Sequence, residues 1–385
     1  MRKILFVIES LHCGGAEKSL ITLFQNFDFT HNQVELLLFK EGGEFEKFVP
    51  DKVNIRYVSS LKAINPIKLM FLKLKFRFLL FNNSTKKHHT AQLFWKSFGN
   101  SIASINNEYD IAIAYNQGFS TYFVAEKINA KIKYAWLNTD YQKAGYNPKF
   151  DFPMYNRYNK IVAVSNENSL SINEEMNSIG KVLPLTVIKD ITDVDVVRKM
   201  ALDGDGLPNE KETISILSVG RLAKAKAFNL AIEACRILVD QKFNIKWYII
   251  GEGSERAYLE QLIKVNSLEE HFILLGYNEN PYPFINSCDI YVQTSIFEGL
   301  GLSVIEALAL GKAVVTTNFP TAHSIVENQI TGLICNMDGK SIAQSITRYI
   351  QEVELKNKIV NNLSLIENDS KNVSLLKIKQ LLESN

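Results

Sequence analysis

The chain has 385 residues, which is too long for one ordinary hydrophobic core and suits two domains of about 190 residues each. It is 46% hydrophobic and 22% charged with a net charge of +2, the profile of a soluble globular protein and no argument for a nucleic-acid partner. No apolar run reaches the roughly 18 residues that a membrane-spanning helix needs.

Cysteines and histidines give no sign of a metal site. The cysteines lie far apart, without the paired spacing of a zinc site or a disulfide framework, at Cys13, Cys235, Cys288 and Cys335. The histidines also lack metal-binding spacing. We therefore expect reduced thiols in a cytoplasmic protein that uses no metal and no cofactor.

The N-terminal half alternates short apolar runs with longer segments and predicts a domain at residues 1–195. The run Lys3–Ile8 is too short for a signal peptide and leads into a polar loop, so we interpret it as a buried strand. Gly14 and Gly15 follow this strand and can bring the backbone close to a ligand. Further strands are predicted at Val34–Phe39, Asp110–Ala114, Lys133–Trp136 and Lys160–Val164.

A long basic segment between Lys52 and Asn107 contains no Asp or Glu. Around Lys62–Lys87 it is also very apolar, and two interpretations stay open. Its cations can meet anionic lipid headgroups while Phe and Leu enter the interface, or it is a helix packed on the first domain. The strict alternation from Leu72 to Phe78 fits an amphipathic helix poorly and argues against membrane contact.

The C-terminal half shows a more regular alternation of predicted strands and helices. A polar segment at residues 196–212 predicts the interdomain linker, and residues 213–365 predict the second domain. Continuous apolar strands separated by amphipathic helices indicate a parallel, doubly wound sheet, in which ligands bind at the carboxyl ends of strands. The predicted strands are Ile214–Val219, Ile245–Ile250, Phe272–Leu275, Asp289–Gln293, Ala313–Thr316 and Gly332–Cys335.

The segment Ser295–Gly311 carries the most information about function. Glu298 lies in a glycine-bracketed turn, and Glu306 follows eight residues later on the helix that the turn opens. Gly299 and Gly301 let a ligand approach the backbone, and the N–H groups of the new helix favour an anion. A phosphate-binding turn with two carboxylates that accept hydroxyl hydrogen bonds describes a site for a sugar nucleotide.

This segment resembles the Glu-x7-Glu motif of the retaining glycosyltransferases of family 4. Val219–Leu222 with Lys226 is similar to the family's Gly-Arg-Leu and later lysine, Gly251–Glu260 to its Gly-x-Gly loop, and Gly14–Glu17 to its acceptor-side glycine loop. The resemblance implies the α/β GT-B fold, two Rossmann-like doubly wound domains facing a cleft. It also implies a C-terminal helix at residues 366–385 that returns to the first domain.

The resemblance further implies roles for individual residues. Arg221 and Lys226 would hold the donor diphosphate and stabilise its growing charge, Glu298 would bind the transferred sugar, and Glu306 the ribose. The alternative for Glu306 is an exposed helical carboxylate. The implied catalytic residues are Glu298, Arg221, Lys226 and Asn138. The implied acceptor-side residues are Gly14, Gly15, Asn138 and Asp140. The implied donor contacts are Gly220, Arg221, Lys226, Gly251, Gly276, Tyr277, Glu298, Gly299, Leu300, Gly301, Leu302 and Glu306.

Several positions depart from the family pattern. Asn138 stands where relatives usually carry a histidine near the reacting sugar; it can still donate and accept hydrogen bonds, and Asp140 is a substitute acceptor contact. Ala227 replaces the usual glycine and predicts a different loop path. Leu300 stands where Phe is frequent. Ala322–Ser324 replaces Gly-x-x-Glu, which predicts a changed donor-sugar environment.

We therefore expect a retaining, metal-independent glycosyltransferase. It would move a hexose from a nucleoside diphosphate sugar, UDP rather than GDP, onto a saccharide or lipid-linked saccharide in bacterial surface polysaccharide synthesis. The alternatives are a non-catalytic sugar-nucleotide-binding or scaffold subunit, which Asn138 keeps open, and another GT-B-fold enzyme such as a phosphorylase or epimerase. In the membrane interpretation of Lys62–Lys87, this segment would hold the cytoplasmic protein loosely on the inner face of the membrane, and in the other interpretation it packs on the first domain.

Overall fold

The computed structural model describes residues 1–12, 14–59, 61, 64–83, 87–363 and 370–383. The chain divides into two compact units, one formed by Met1–Ile191 with Asn372–Asn385 and the other by Thr192–Lys371. The segment predicted as a linker, 196–212, therefore lies within the second unit. Its first residues belong to a helix, Val194–Met200, that packs there.

The first unit consists of seven strands and the helices between them. In chain order these are β1 (Arg2–Ile8), α1 (Gly15–Gln25), β2 (Asn32–Leu38), β3 (Val53–Tyr57), α2 (Pro66–Phe81), α3 (Thr90–Phe98), β4 (Ile105–Ala114), α4 (Phe119–Lys127), β5 (Ile128–Leu137), α5 (Pro148–Tyr155), β6 (Lys160–Ala163), α6 (Asn166–Asn177) and β7 (Leu185–Val187). The strands form one parallel sheet in the order β3-β2-β1-β4-β5-β6-β7. The strand order reverses between β1 and β4, where this kind of sheet opens a crevice.

Two strands of this sheet were not predicted from the sequence. β3 is an edge strand whose Asn54 and Arg56 are exposed or partly exposed, so it lacks a continuous apolar run. β7 has three residues, which is too short for a periodic pattern. Both belong to the sheet because they pair with neighbouring strands, β3 with β2 and β7 with β6.

The second unit repeats the same plan with six strands. Its elements are α7 (Val194–Met200), β8 (Ile214–Val219), α8 (Phe228–Asp240), β9 (Ile245–Ile250), α9 (Arg256–Val265), β10 (Phe272–Gly276), α10 (Tyr282–Ser287), β11 (Ile290–Gln293), α11 (Leu302–Ala309), β12 (Ala313–Thr317), β13 (Leu333–Cys335), α12 (Gly339–Gln351) and α13 (Val353–Leu363). The parallel sheet has the order β10-β9-β8-β11-β12-β13 and reverses between β8 and β11. The predicted α/β architecture of two doubly wound sheets is confirmed.

The last described helix, α14 (Ser370–Glu383), belongs to the first unit from Asn372 onward. Arg2 Nη1 donates to the carbonyl of Leu382 at 2.6 Å, and the hydroxyl of Tyr134 donates to the carbonyl of Leu381 at 2.9 Å. The predicted C-terminal helix at 366–385 thus starts and ends outside the described residues, and its described part packs on β1 and β5. None of the described helices has the length and apolar character that crossing a bilayer takes.

Candidate functional site

Three glycines lie side by side at the carboxyl edge of the second sheet. Gly220 follows β8, Gly251 follows β9, and Gly276 ends β10. Backbone hydrogen bonds join them, from Gly251 N to Gly276 O at 2.8 Å and from Gly220 N to Ile250 O at 2.9 Å. A Cβ atom on Gly251, whose φ is +151°, would lie 2.0 Å from the carbonyl oxygen of Gly220. The two backbone segments therefore approach too closely for any residue but glycine at this position.

The loop after β8 is pinned to the loop after β9. Leu222 N donates to Glu252 O at 2.9 Å, and Glu255 N donates to Leu222 O at 3.0 Å. The loop ends in a short 3₁₀ helix, Lys224–Lys226, and in Ala227, whose φ of 47° and ψ of 45° are left-handed. A glycine adopts this conformation most easily, so alanine here strains the backbone by about 1–2 kcal/mol. The different loop path expected from this replacement stays a prediction.

The loops after β8 and β11 meet where the strand order reverses. The hydroxyl of Thr294 donates to the carbonyl of Lys226 at 2.7 Å, and Ile296 N donates to the carbonyl of Ala225 at 2.8 Å. These contacts bring Lys226 next to the turn that contains Glu298, 72 residues further along the chain. The structure thus joins two predicted site residues at the position where doubly wound sheets bind ligands.

Glu298 is held by three donors. Its Oε1 accepts from Lys226 Nζ at 2.6 Å, from Gln293 Nε2 at 2.9 Å and from Ser295 Oγ at 2.5 Å. The side chains of Lys226 and Glu298 are 19% and 14% exposed, so solvent screens this ion pair only in part. The arrangement offers a cation and a carboxylate at one point, with the carboxylate fixed before any ligand arrives.

Gln293 was not predicted as a site residue. It is the last residue of β11 and is fully buried, so an apolar-strand pattern assigns it to the core. Its Oε1 accepts from the hydroxyls of Tyr291 at 3.2 Å and Ser303 at 3.4 Å, while its Nε2 donates to Glu298. One feature of the sequence could have identified Gln293 as a site residue. It is an amide side chain at the carboxyl end of a continuous apolar strand, and doubly wound sheets bind ligands at that end.

The turn ends at Gly301, which is the N-cap residue of α11 and has a φ of +80°. Glu306 lies on that helix with 4% of its surface exposed, and the hydroxyl of Tyr282 donates to its Oε1 at 3.3 Å. The alternative of an exposed helical carboxylate is therefore wrong. Leu300 is buried, whereas Gly299 and Leu302 are partly exposed.

Arg221 and Tyr277, two further predicted donor contacts, follow β8 and β10. The guanidinium of Arg221 is exposed and makes no hydrogen bond or ion pair within the described ranges. Tyr277 follows Gly276, whose φ is +80°, and is half-buried. Their predicted contacts with a donor stay predictions.

In the first unit, the glycine loop leads into α1. Gly14 is the extended N-cap of this helix, and a Cβ there would lie 2.1 Å from a carboxylate oxygen of Glu17. One turn further, Ser19 Oγ donates to Asp190 Oδ1 at 2.7 Å and lies 3.2 Å from the hydroxyl of Tyr115. Burial raises the pKa of Asp190 to about 7. The sequence pattern did not predict that the carboxyl group of Asp190 is buried beside α1.

Asn138 and Asp140, which closely follow β5, have different surroundings. Both amide atoms of Asn138 are buried and have no hydrogen-bond partner among the described residues. Asp140 Oδ1 accepts from Lys143 N at 2.9 Å and from Ser171 Oγ at 2.8 Å. The carboxylate of Asp140 therefore stabilises its own loop, and the amide of Asn138 retains its hydrogen-bonding capacity.

Within the described ranges, no group of three or more His, Cys, Asp or Glu side chains could hold a metal ion. The described cysteines are unpaired thiols. Burial raises the pKa of Cys235, Cys288 and Cys335 to about 12, which leaves them unreactive.

Known sequences similar to this chain are glycosyltransferases. The family model described as glycosyl transferases group 1 matches residues 204–364. Over 375 residues the chain is 27% identical to the N-acetylgalactosamine-N,N'-diacetylbacillosaminyl-diphospho-undecaprenol 4-alpha-N-acetylgalactosaminyltransferase of Campylobacter jejuni, covering 94% of this chain and 93% of that protein. It is 32% identical over 146 residues to the capsular polysaccharide biosynthesis glycosyltransferase CapM of Staphylococcus aureus, covering 37% and 38% of the two chains.

Solved structures with the same fold cover the whole chain. HepE of Anabaena, solved with UDP and glucose, matches with a TM-score of 0.73 at 18% identity, covering 100% of both chains. TarM of S. aureus matches with a TM-score of 0.68 at 15% identity, again over 100% of both chains. The chain thus carries, at residues 204–364, a domain that matches the group 1 glycosyltransferases, and its two sheets give it the GT-B fold.

Proposed function

We propose that the protein is a retaining glycosyltransferase of family 4 that transfers a hexose from a UDP-sugar to a saccharide or lipid-linked saccharide. The observation that carries this proposal is the Lys226–Glu298 pair at the reversal point of the second sheet, on the same sheet edge as Gly220, Gly251 and Gly276. A cation suits a diphosphate, and a fixed carboxylate suits sugar hydroxyl groups. UDP is supported by its presence in the solved structure of HepE.

Lys226, Glu298 and Glu306 each have a separate role in the proposed reaction. Lys226 would turn from Glu298 to the diphosphate and stabilise its charge as the bond from the anomeric carbon to the phosphate oxygen breaks. Glu298, still held by Gln293 and Ser295, would accept hydrogen bonds from the transferred sugar. Glu306 would accept those of the ribose. The departing phosphate would take the proton of the acceptor hydroxyl, which attacks from the same face.

On the first unit, the amide of Asn138 would contact the reacting sugar or the acceptor. Its two buried polar atoms without partners support this, because such groups normally find hydrogen bonds. An acceptor that includes a lipid diphosphate is supported by the similarity to the C. jejuni enzyme, whose name specifies one. A role in bacterial surface polysaccharide synthesis, in the cytoplasm and at the membrane, belongs to the same proposal.

The decisive experiment has two stages. Thermal shift with a panel of nucleotide sugars identifies the donor, and mass spectrometry of mixtures with candidate acceptors identifies a product. Lys226→Ala serves as the matched inactive variant and Lys224→Ala, on the same short helix, as the active control. Donor binding without transfer or hydrolysis by any preparation would instead favour the non-catalytic subunit.

The proposed reaction uses no metal, because Lys226 and Arg221 supply the positive charge for the diphosphate. Transfer should therefore persist in excess EDTA. Loss of activity in EDTA with recovery on adding manganese would contradict this part of the proposal.

A further inference from the structure

The helix α2 exposes large apolar side chains along its whole length. None of its 16 residues is buried. Ile67, Phe71 and Phe78 are 67%, 61% and 66% exposed, and Phe81 is 84% exposed. Met70 and Leu74 are also more than half exposed. Monomeric proteins rarely leave a continuous apolar surface of this kind without a function.

These side chains form one straight stripe. A helix turns by about 100° per residue, which places Ile67, Met70, Phe71, Leu74, Phe78 and Phe81 within roughly 100° of arc. At about 1.5 Å of rise per residue, the stripe is about 21 Å long. We call these six residues the α2 stripe.

The opposite face of α2 packs on the first unit. Leu69, Leu72 and Phe76 lie against the core of that unit, and the ring of Phe76 meets those of Phe94 and Phe98 at 5.7 Å and 5.9 Å. Residues two apart on a helix are about 200° apart, so Leu72 and Phe76 point inward while Leu74 and Phe78 belong to the stripe. The prediction that this alternation fits an amphipathic helix poorly is confirmed, because α2 has two opposed apolar faces, one packed on the first unit and one exposed.

Cations border the α2 stripe on both sides. By the same helical rotation, Lys73 and Arg77 lie along one border, and Lys68 and Lys75 along the other. All four are exposed, and Lys75 Nζ donates to the carbonyl of Lys96 at 3.0 Å. No acidic residue occurs between Lys52 and Asn107, so nothing in this segment neutralises them. Lys62 and Lys86, which the sequence analysis included, lie outside the described residues.

The cations beside the α2 stripe determine which kind of partner this surface can bind. In a dimer formed through two copies of the α2 stripe, cations would face cations, and such like-charge contact is costly. An anionic surface with an apolar layer beneath it satisfies both features, because the cations reach headgroups while the stripe enters the boundary with the acyl chains. We propose that α2 lies flat on an anionic lipid bilayer, with the α2 stripe in the interface and its four bordering cations on the headgroups.

The experiment is cosedimentation of the full chain with vesicles. One set contains phosphatidylcholine alone, and the other contains equal amounts of phosphatidylcholine and phosphatidylglycerol. The protein should pellet with the anionic vesicles, and the bound fraction should fall as salt rises. A protein that stays in the supernatant with anionic vesicles at low salt overturns the proposal.

Two variants separate the contributions of charge and apolar surface. Replacing Lys68, Lys73 and Arg77 together by Gln should weaken partitioning about 100-fold, since each cation near an anionic surface contributes about a fivefold effect. Leu74→Gln with Phe78→Gln should weaken it tenfold or more. The matched controls are Gln at the exposed Lys242, Lys264 and Lys340, and Leu170→Gln with Val265→Gln. Equal binding of test and control variants contradicts the proposal.

A fluorescent reporter tests the orientation of α2. The three tryptophans of the chain are buried, so a fourth at Phe78→Trp reports from the stripe. Its emission should shift to shorter wavelength with anionic vesicles and be quenched by brominated acyl chains. If sedimentation velocity instead shows a dimer that Leu74→Gln with Phe78→Gln dissociates, and the Phe78→Trp emission does not respond to vesicles, the stripe is a protein interface. These assays do not depend on transfer activity, so their outcome is separate from that of the proposed reaction.

Discussion

The ion pair between Lys226 and Glu298 leads to a prediction that distinguishes their roles. Before a ligand arrives, Lys226 Nζ lies 2.6 Å from Glu298 Oε1. A diphosphate must therefore compete with this carboxylate for the ammonium group. Glu298→Gln removes the competing charge and keeps an oxygen that accepts from Gln293 and Ser295. We expect free UDP to bind Glu298→Gln more tightly than the wild type, while transfer from the UDP-sugar falls.

The magnitude follows from the exposure of the pair. Its side chains are only 19% and 14% exposed, so solvent screens it less than an exposed ion pair, which contributes about 0.2–1 kcal/mol; UDP should therefore bind at least about twofold more tightly. Lys226→Ala instead removes a charge-assisted contact of about 1.5–3 kcal/mol and should weaken UDP binding at least tenfold. Both variants should unfold cooperatively near the wild-type temperature.

Isothermal titration with UDP alone measures these affinities, and a product assay with the identified donor measures turnover. Lys224→Ala, an exposed neighbour in the same loop, should match the wild type in both. The reasoning fails if Glu298→Gln weakens UDP binding as much as Lys226→Ala does, because Glu298 would then hold the nucleotide rather than compete for its cation.

Three further predictions concern single residues. Glu306→Gln should weaken free UDP and UDP-sugar alike, by about tenfold for a hydrogen bond to ribose; titration showing unchanged UDP affinity would contradict it. Burial raises the pKa of Asp190 from 3.8 to about 7, so ionising it destabilises the folded state as pH rises through that range. Urea unfolding of wild type and Asp190→Asn should therefore diverge by about 3 kcal/mol between roughly pH 5 and pH 8, and a constant difference would refute the burial effect. Ala227→Gly should raise the free energy of unfolding by about 0.5–1 kcal/mol by relieving left-handed strain, and a lower value would refute that.

Local sequence patterns were sufficient for the buried strands and the motif turn, but not for the edge strand β3, the three-residue strand β7 or the helix α7 in the predicted linker. The predicted bounds of β8 and β9 are those of the structure, since continuous apolar runs between polar loops specify buried parallel strands. Gly220 and Gly251 were predicted because they directly follow these strands and match the Gly-Arg-Leu and Gly-x-Gly motifs of the family that the chain resembles. The spacing of Glu298 and Glu306 likewise follows from one turn and one helix.

Contacts between distant segments required the tertiary structure. The pairing of Lys226 with Glu298 depends on β8 and β11 being neighbours, and strand order has no signature in hydrophobic periodicity. The same holds for Gln293, which is a core residue by pattern and a partner of Glu298 by position. For α2, the sequence by itself determined a basic, apolar, acid-free segment. Which of its apolar side chains face water was decided only when Leu69, Leu72 and Phe76 packed on the first unit, because a helix with two apolar faces can bury either one.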